Sequence, residues 1–391
     1  MSAMKKLSDV VEPSEKTLSK KSPAKKSATG RKSASSSASK NVSEQTKRRR
    51  IIIAISIALV LVIAAVLFGL LSGNNKFRGD IKNPNQTEKP TDVKYYSPLT
   101  GREVPDQAAT RRPVLAVMIE NSLEARPQSG LKEAGIVFEA VAEGGITRFI
   151  ALYQDTEPGL IGPVRSLRPY YLEWAAAFSP AVAHAGGSPQ ALTMIRSGNY
   201  GVDLDQSSNA SAFWRTRDRQ SPHNVYTDYS HLTALAAAKG KTSSEFTGLT
   251  RQPVKSTSKP SGESATTISI AVSTGQFAVS YNYDQASKTY RRHQGNVAHQ
   301  DREKGQIAPD VVIALHVNQT LQADRVHNTV VTTGSGECFV FQNGTVTKGT
   351  WHKDSPTSQI KFLDESSQEI KLVRGQTWIT AVQNGRIITW Q

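Results

Sequence analysis

Twenty-one consecutive residues without a charge, Ile51–Leu71 (IIIAISIALVLVIAAVLFGLL), constrain this 391-residue chain more than any other feature. About 20 apolar residues cross the hydrocarbon core of a bilayer as a helix. The run is apolar on every face, which an amphipathic core helix is not. Lys47-Arg48-Arg49-Arg50 abuts it on the N-terminal side. Cations beside a span stay cytoplasmic, so the pattern predicts a single-pass anchor in the plasma membrane, N-terminus inside and the rest of the chain extracytoplasmic. The run ends Leu71-Ser72-Gly73-Asn74. A bacterial lipoprotein signal would carry cysteine where Asn74 stands, and 50 preceding residues are many for a cleaved signal peptide. The reading is an uncleaved signal anchor.

The charge is distributed to match. Residues 1–50 hold 14 Lys/Arg against 4 Asp/Glu, a net +10 of the chain's +15, which leaves +5 for the other 341 residues. This tail is rich in Ser, Lys and Ala and cannot bury enough apolar surface to offset chain entropy, so it is expected to be a disordered cytoplasmic segment. Anionic lipid or DNA are its conceivable contacts. Residues 72–94 are polar, contain two prolines and read as a spacer. The only cysteine, Cys338, leaves the exported part without an internal disulfide.

Beyond the spacer the pattern predicts an α+β fold: a mixed αβ region, 95–240, an interdomain segment, 241–264, and a mainly β region, 265–391. Short apolar runs predict strands over 113–121, 133–142 and 146–154. A helix is expected over 168–180, stopped at Ser179-Pro180. A short strand follows at AVAHAG, and a second helix starts with Ser188 as N-cap and Pro189 at its first position. A third is expected over 230–240 with Ser230 as cap. Asn343-Gly344 between ECFVFQ and TVTKGTW is a hairpin signal. YRRHQGNVAHQD is expected to be a loop approaching the first region. Its His293 and His299, followed by Asp301, fit no standard zinc spacing. No metal site is expected.

Several long words in the chain, RPVLAVMIENSLEARPQSGLKEAGIVFEAVAEGGITRFIALY, IGPVRSLRPYYLEWA, HAGGSP and SPHNVYT, resemble the DUF3048 family. The resemblance spans roughly 95–391 and covers both the N- and C-terminal regions of that family. It implies an exported, membrane-tethered protein and leaves the chemistry to the residues.

Three clusters carry that chemistry. In GPVRSLRPYY, Arg165, Ser166, Arg168 and Tyr170 precede or open a helix. Guanidiniums with free helix N–H groups suit carboxylate or phosphate, and the competing reading pairs the arginines with Glu139 or Glu143. In HAGGSP, Gly186, Gly187 and Ser188 could form an anion nest beside His184, and Arg165, Arg168, the Ser188 helix start and His184 are expected to line one anionic-ligand cleft. The P-loop lysine is missing, so no nucleotide and no other cofactor is expected. In EAVAEGGITR, Glu139 and Glu143 stand four apart with Arg148 beyond. Helical or extended, the spacing puts both carboxylates on one face, as acid–base work on a glycosidic bond would need, and the competing, favoured reading is a salt-bridge cluster. Farther on, FWRTRDRQSPHNVYT carries Arg215, His223 and Asn224 beside Phe213, Trp214 and Tyr226, a set that suits stacking on a sugar. A nucleic acid is disfavoured for a segment outside the cell. The residues thus leave two functions open: a binder of an anionic cell-wall ligand (peptidoglycan or a wall polymer), or a wall-glycan hydrolase or lyase using Glu139 or Glu143, with His184 as a further catalytic candidate.

Overall fold

The computed structural model describes residues 93–254 and 262–391. The predicted tail and span, and the spacer up to residue 92, lie outside them. Among the described residues no helix is long and apolar enough to cross a membrane.

The described chain is mainly β, with three α-helices among its described residues. Eleven strands form the main sheet. Nine of them are β1 (Val114–Glu120), β2 (Ile136–Glu143), β3 (Ile146–Tyr153), β4 (Pro180–His184), β5 (Val202–Asp205), β6 (Val311–Val317), β7 (Gly334–Gln342), β8 (Thr345–Lys353) and β9 (Thr377–Gln383). Glu263–Ser264 adds an edge beside β8, then the order runs β8-β7-β6-β9-β2-β3-β1-β4-β5, and Lys361–Asp364 also pairs with β8. The helices are α1 (Pro169–Ala175), α2 (Pro189–Arg196) and α3 (Tyr229–Ala238).

The centre of this sheet joins the two sequence regions. β9, from the second, lies parallel to β6 on one side and parallel to β2, from the first, on the other. The break at 241–264 therefore divides the sequence but not the sheet.

The central strands read as unbroken apolar runs because both faces are covered, which alternation would not allow. Val114, Ala116 and Met118 of β1, Ile136 and Phe138 of β2, and Ile150 and Leu152 of β3 pack against α1 and α2. Their neighbours Leu115, Val117, Ile119, Val137, Phe149 and Ala151 face α3. Phe138 stacks on Trp174 of α1 at 5.5 Å with the rings 7° from parallel. The α2 start is as expected: Ser188 accepts from the Ala191 N–H and Pro189 opens the helix. The third helix starts two residues earlier than a Ser230 cap implies: it opens at Tyr229, and its cap is Asp228. Asn343 and Gly344, both at positive φ, turn β7 into β8.

A second sheet of five strands comes from the C-terminal region, in the order Val297–Ala298, Thr289–Gln294, Val279–Asp284, Thr267–Ile270, Ile388–Trp390. The expected loop at YRRHQGNVAHQD is thus largely a hairpin. Gly295 and Asn296, both left-handed, close it by pairing Gln294 with Val297. It does approach the first region: Arg292 and His299 reach Glu139 and Gln128.

Candidate functional site

Residues 165–168 and 185–188 lie side by side, as two words of such similar chemistry suggested. Ala185 N–H donates to the Arg165 carbonyl, Leu167 N–H to Gly186 and Ser188 N–H to Leu167. A Cβ on Gly187 would stand 3.1 Å from the Leu167 Cβ, close enough that its neighbours would have to give by a few tenths of an ångström. The starts of α1 and α2 are therefore fixed next to each other.

They form one wall of a cleft of about 500 Å³, lined by Ser166, Arg168, Gly187, Ser188 and Gln190, with Gln322, Asp324, His327 and Asn328 opposite. The opposing wall is the hairpin of Gln319–Leu321 and Asn328–Val330. It docks on the end of β2 through Gly144 N–H to the Val326 carbonyl (3.0 Å) and Asn328 Nδ2 to the Ala142 carbonyl (3.2 Å). Asp324 shapes its turn by accepting from the Val326 and His327 backbone N–H groups and from His327 Nδ1, at 2.9, 3.0 and 2.6 Å. Those bonds hold its carboxyl down at about 2. The hairpin was missed in the sequence because polarity was its only signal; the pairing of Asp324 with His327 three residues on could have suggested a side-chain-closed turn.

Glu143 sits beside this cleft, ion-paired with Arg148 and, at 2.7 Å, with Arg168. Arg148 also donates to the Ser166 carbonyl and Arg168 to its neighbour Leu167, both at 2.8 Å. Burial pushes the Glu143 carboxyl up, but the two guanidiniums outweigh it and hold it below the usual carboxylate range. Arg168 keeps one buried donor, Nε, without a partner.

Glu139 is elsewhere. Its expected alignment with Glu143 fails because a β-bulge between Val141 and Glu143 interrupts the alternation of β2. Fully buried, Glu139 is held by both oxygens to Arg292 (3.1 and 2.9 Å), and by Trp378 Nε1, Thr380 and Thr147 at 3.0, 3.3 and 3.1 Å. The two carboxylates therefore do not flank one substrate site.

The other candidates divide. Arg165 pairs with Glu120 at 3.1 Å, not with Glu139 or Glu143. It is not among the cleft residues. His223 Nδ1 meets the same Glu120 oxygen at 3.0 Å and Ser122 Oγ at 3.3 Å. Both contacts use one ring nitrogen, so Ser122, His223 and Glu120 do not form a serine–histidine–carboxylate relay, which needs one partner on each nitrogen. His184 is fully buried with Nδ1 on the Gly186 carbonyl (2.8 Å) and Nε2 on Asp203 (3.0 Å). Neither nitrogen is left for catalysis. The Gly-Gly nest is also partly filled from within, since Gly186 N–H donates to Asp205 at 3.2 Å. Tyr170 is a core residue whose hydroxyl donates to the Val141 carbonyl at 3.0 Å. Arg215 and Asn224 bond to each other at 2.7 Å, and Asn224 closes its own loop onto the Thr216 and Arg219 carbonyls.

The Glu143 ion pairs carry a pH signature. A carboxylate whose folded pKa is depressed contributes stability above its unfolded pKa, about 4.3, and loses it as pH falls through the lower folded value. Thermal melts from pH 6 to pH 3 should show a steeper acid loss for the wild type than for Glu143→Gln. Parallel curves would contradict the ion-pair account.

Comparison with known proteins agrees with the sequence words. The model described as "Protein of unknown function (DUF3048) N-terminal domain" matches residues 99–243, and that of the C-terminal domain of the same family matches 268–379. The chain belongs to the DUF3048 family. The main sheet is thus built from strands of both DUF3048 regions, and the cleft pairs the α1 and α2 starts of the N-terminal region with a hairpin of the C-terminal one. A relative from Bacillus subtilis (strain 168), named "Putative lipoprotein YerB", is 34% identical over 303 residues, covering 75% of this chain and 87% of the relative. The crystal structure of the YerB protein from Bacillus subtilis is similar with a TM-score of 0.67 at 31% identity, over 75% of this chain and 99% of that one.

Proposed function

We propose that this DUF3048 protein is tethered to the membrane, acts outside the cytoplasm, and binds an anionic cell-wall ligand in the cleft between the helix starts and the 319–330 hairpin. The similarity to a protein named as a lipoprotein supports the envelope location. The observation that carries the binding reading is Arg168, a cation with an unpartnered Nε on the wall of a cleft that also presents hydroxyls, amides, an imidazole and a carboxylate beside Pro169 and Pro189. A guanidinium donor without a protein acceptor is a costly feature unless a ligand completes it. Asp324 and the amides of Gln190 and Gln322 match the hydroxyls of a glycan that also bears a carboxylate or phosphate. A hydrolase is disfavoured: Glu143 is held ionised between two arginines and Glu139 is enclosed by the core.

The test is binding of the full-length chain to purified sacculi, intact and stripped of their phosphate polymers. Arg168→Lys should weaken binding about tenfold, because lysine keeps the charge and loses the planar fork. Stripping identifies phosphate as the anion if it abolishes binding and peptidoglycan carboxylate if it does not. Unchanged binding by the Lys variant overturns the assignment of the cleft.

Topology has its own test. A cysteine placed at Ser72 should react with a membrane-impermeant thiol reagent on intact cells, and one at Ser27 should not. The native thiol gives no background, since Cys338 is buried and burial pushes it up to about 12. Reversed labelling would contradict the orientation.

A further inference from the structure

A second, smaller cavity of about 210 Å³ lies at the hairpin of the five-stranded sheet, lined by Arg126, Pro127, Gln294, Val297, Ala298 and His299 among others. Gln294 is 1% exposed, yet neither its side-chain oxygen nor its nitrogen has a partner. A buried carboxamide with donor and acceptor both unmet is rare in a folded protein and marks a place where a ligand or water completes the bonding. Beside it, Arg126 donates only to uncharged acceptors: Nε to Asn121 Oδ1 (3.1 Å), Nη2 to the Asn121 carbonyl (3.1 Å) and Nη1 to the Gln276 carbonyl (3.4 Å). Its guanidinium lies over the Phe277 ring at 5.1 Å. Burial pulls it down to about 10, which still leaves a full cation at neutral pH. His299 adds no countercharge. Its Nδ1 accepts from Arg292 and its Nε2 faces the Gln128 oxygen, so the ring is a neutral tautomer.

We infer that this cavity binds the carboxy-terminal residues of a short peptide, with the carboxylate on Arg126 and a backbone amide group on Gln294. Inorganic phosphate would satisfy the arginine but offers no N–H to the Gln294 oxygen. The N–H and C=O of one residue in an extended chain point the same way and match a carboxamide on both counts. Pro127, Val297 and Ala298 make the remaining wall apolar and suit small side chains. The volume equals that of roughly seven liquid waters, enough for a dipeptide unit. The inference stands on different residues from the cleft and does not depend on it.

The probes are acetyl-Ala-Ala with a free carboxylate, in LL and DD forms, and the same peptides amidated at the C-terminus, titrated into the full-length chain in detergent. One acid form should bind saturably and at least about tenfold more tightly than its amide, the usual scale for losing a charged hydrogen bond. Gln294→Leu should weaken that binding about tenfold without lowering the melting temperature, since the variant removes an unmet polar group. Arg168→Lys should leave it unchanged. Absence of saturable binding, or equal binding of acid and amide, overturns the inference and leaves water as the occupant. Should Gln294→Leu fail to fold, the acid–amide comparison on the wild type still decides.

Discussion

Replacing Glu139 with glutamine is expected to destabilise the protein by about 3–5 kcal/mol, the range for removing one partner of a buried ion pair. The fold surrounds this pair completely. Arg292 is fully buried, with its guanidinium 4.4 Å from the Trp378 ring centroid and 5.4 Å from that of Tyr281. Without the carboxylate its charge has no counterion and no water. In a domain of this size the loss corresponds to a fall in melting temperature of about 10 °C. Arg292→Met should cost a similar amount, and the double variant less than the sum, because it leaves no unpaired charge. Glu139 is on β2 and Arg292 in the five-stranded sheet, so a single cooperative transition at the lower temperature is expected. Additive losses, or a transition split in two, would contradict the pair's role as the joint between the two sequence regions.

Gly375→Ala should produce the next largest loss, roughly 3 kcal/mol, through backbone strain and a displaced hydrogen bond. Gly375 has φ +132°, and a Cβ there would stand 2.0 Å from Asp310 Oδ2. That oxygen accepts from the Gln376 N–H at 2.7 Å and from Arg102 at 3.1 Å. Gly375 N–H itself donates to the Thr100 carbonyl at 2.9 Å. The site thus starts β9, the strand between the two halves of the main sheet. Calorimetry should show the full-length variant melting at lower temperature, and removing the Asp310 side chain as well should cost less than the two changes separately. A melting temperature equal to the wild type would mean that the turn before β9 has room the structure denies it.

What the sequence discloses follows from how local each signal is. The strand over Val114–Glu120 is legible because two-sided burial writes an unbroken apolar run. Ser188-Pro189 and Asn343-Gly344 are legible because a cap and a two-residue turn are set by adjacent residues. The neighbourhood of GPVRSLRP and AHAGGSP is visible as shared chemistry, and backbone bonds bring the two words together. The failures are non-local. Whether Glu139 meets Arg148 or Arg292 depends on a residue of the other sheet, 153 positions away. One bulge residue in AVAEGG removed Glu143 from the face of Glu139, and no residue type announces a bulge there. Arg165 and Arg168 have the same chemistry and are three apart, yet one meets Glu120 and the other Glu143. The 319–330 hairpin gained its place only through contacts with the end of β2.

The central claim is that the ligand sits between the starts of α1 and α2 and that hairpin. Amide hydrogen exchange of the full-length chain, with and without a soluble anionic wall polymer, tests it directly. The account predicts slowed exchange at 186–192 and 319–330, diminished in Arg168→Lys, with the Arg215–Asn224 loop unaffected. Protection confined to that loop, or absent from both cleft walls while the polymer is bound, would contradict it.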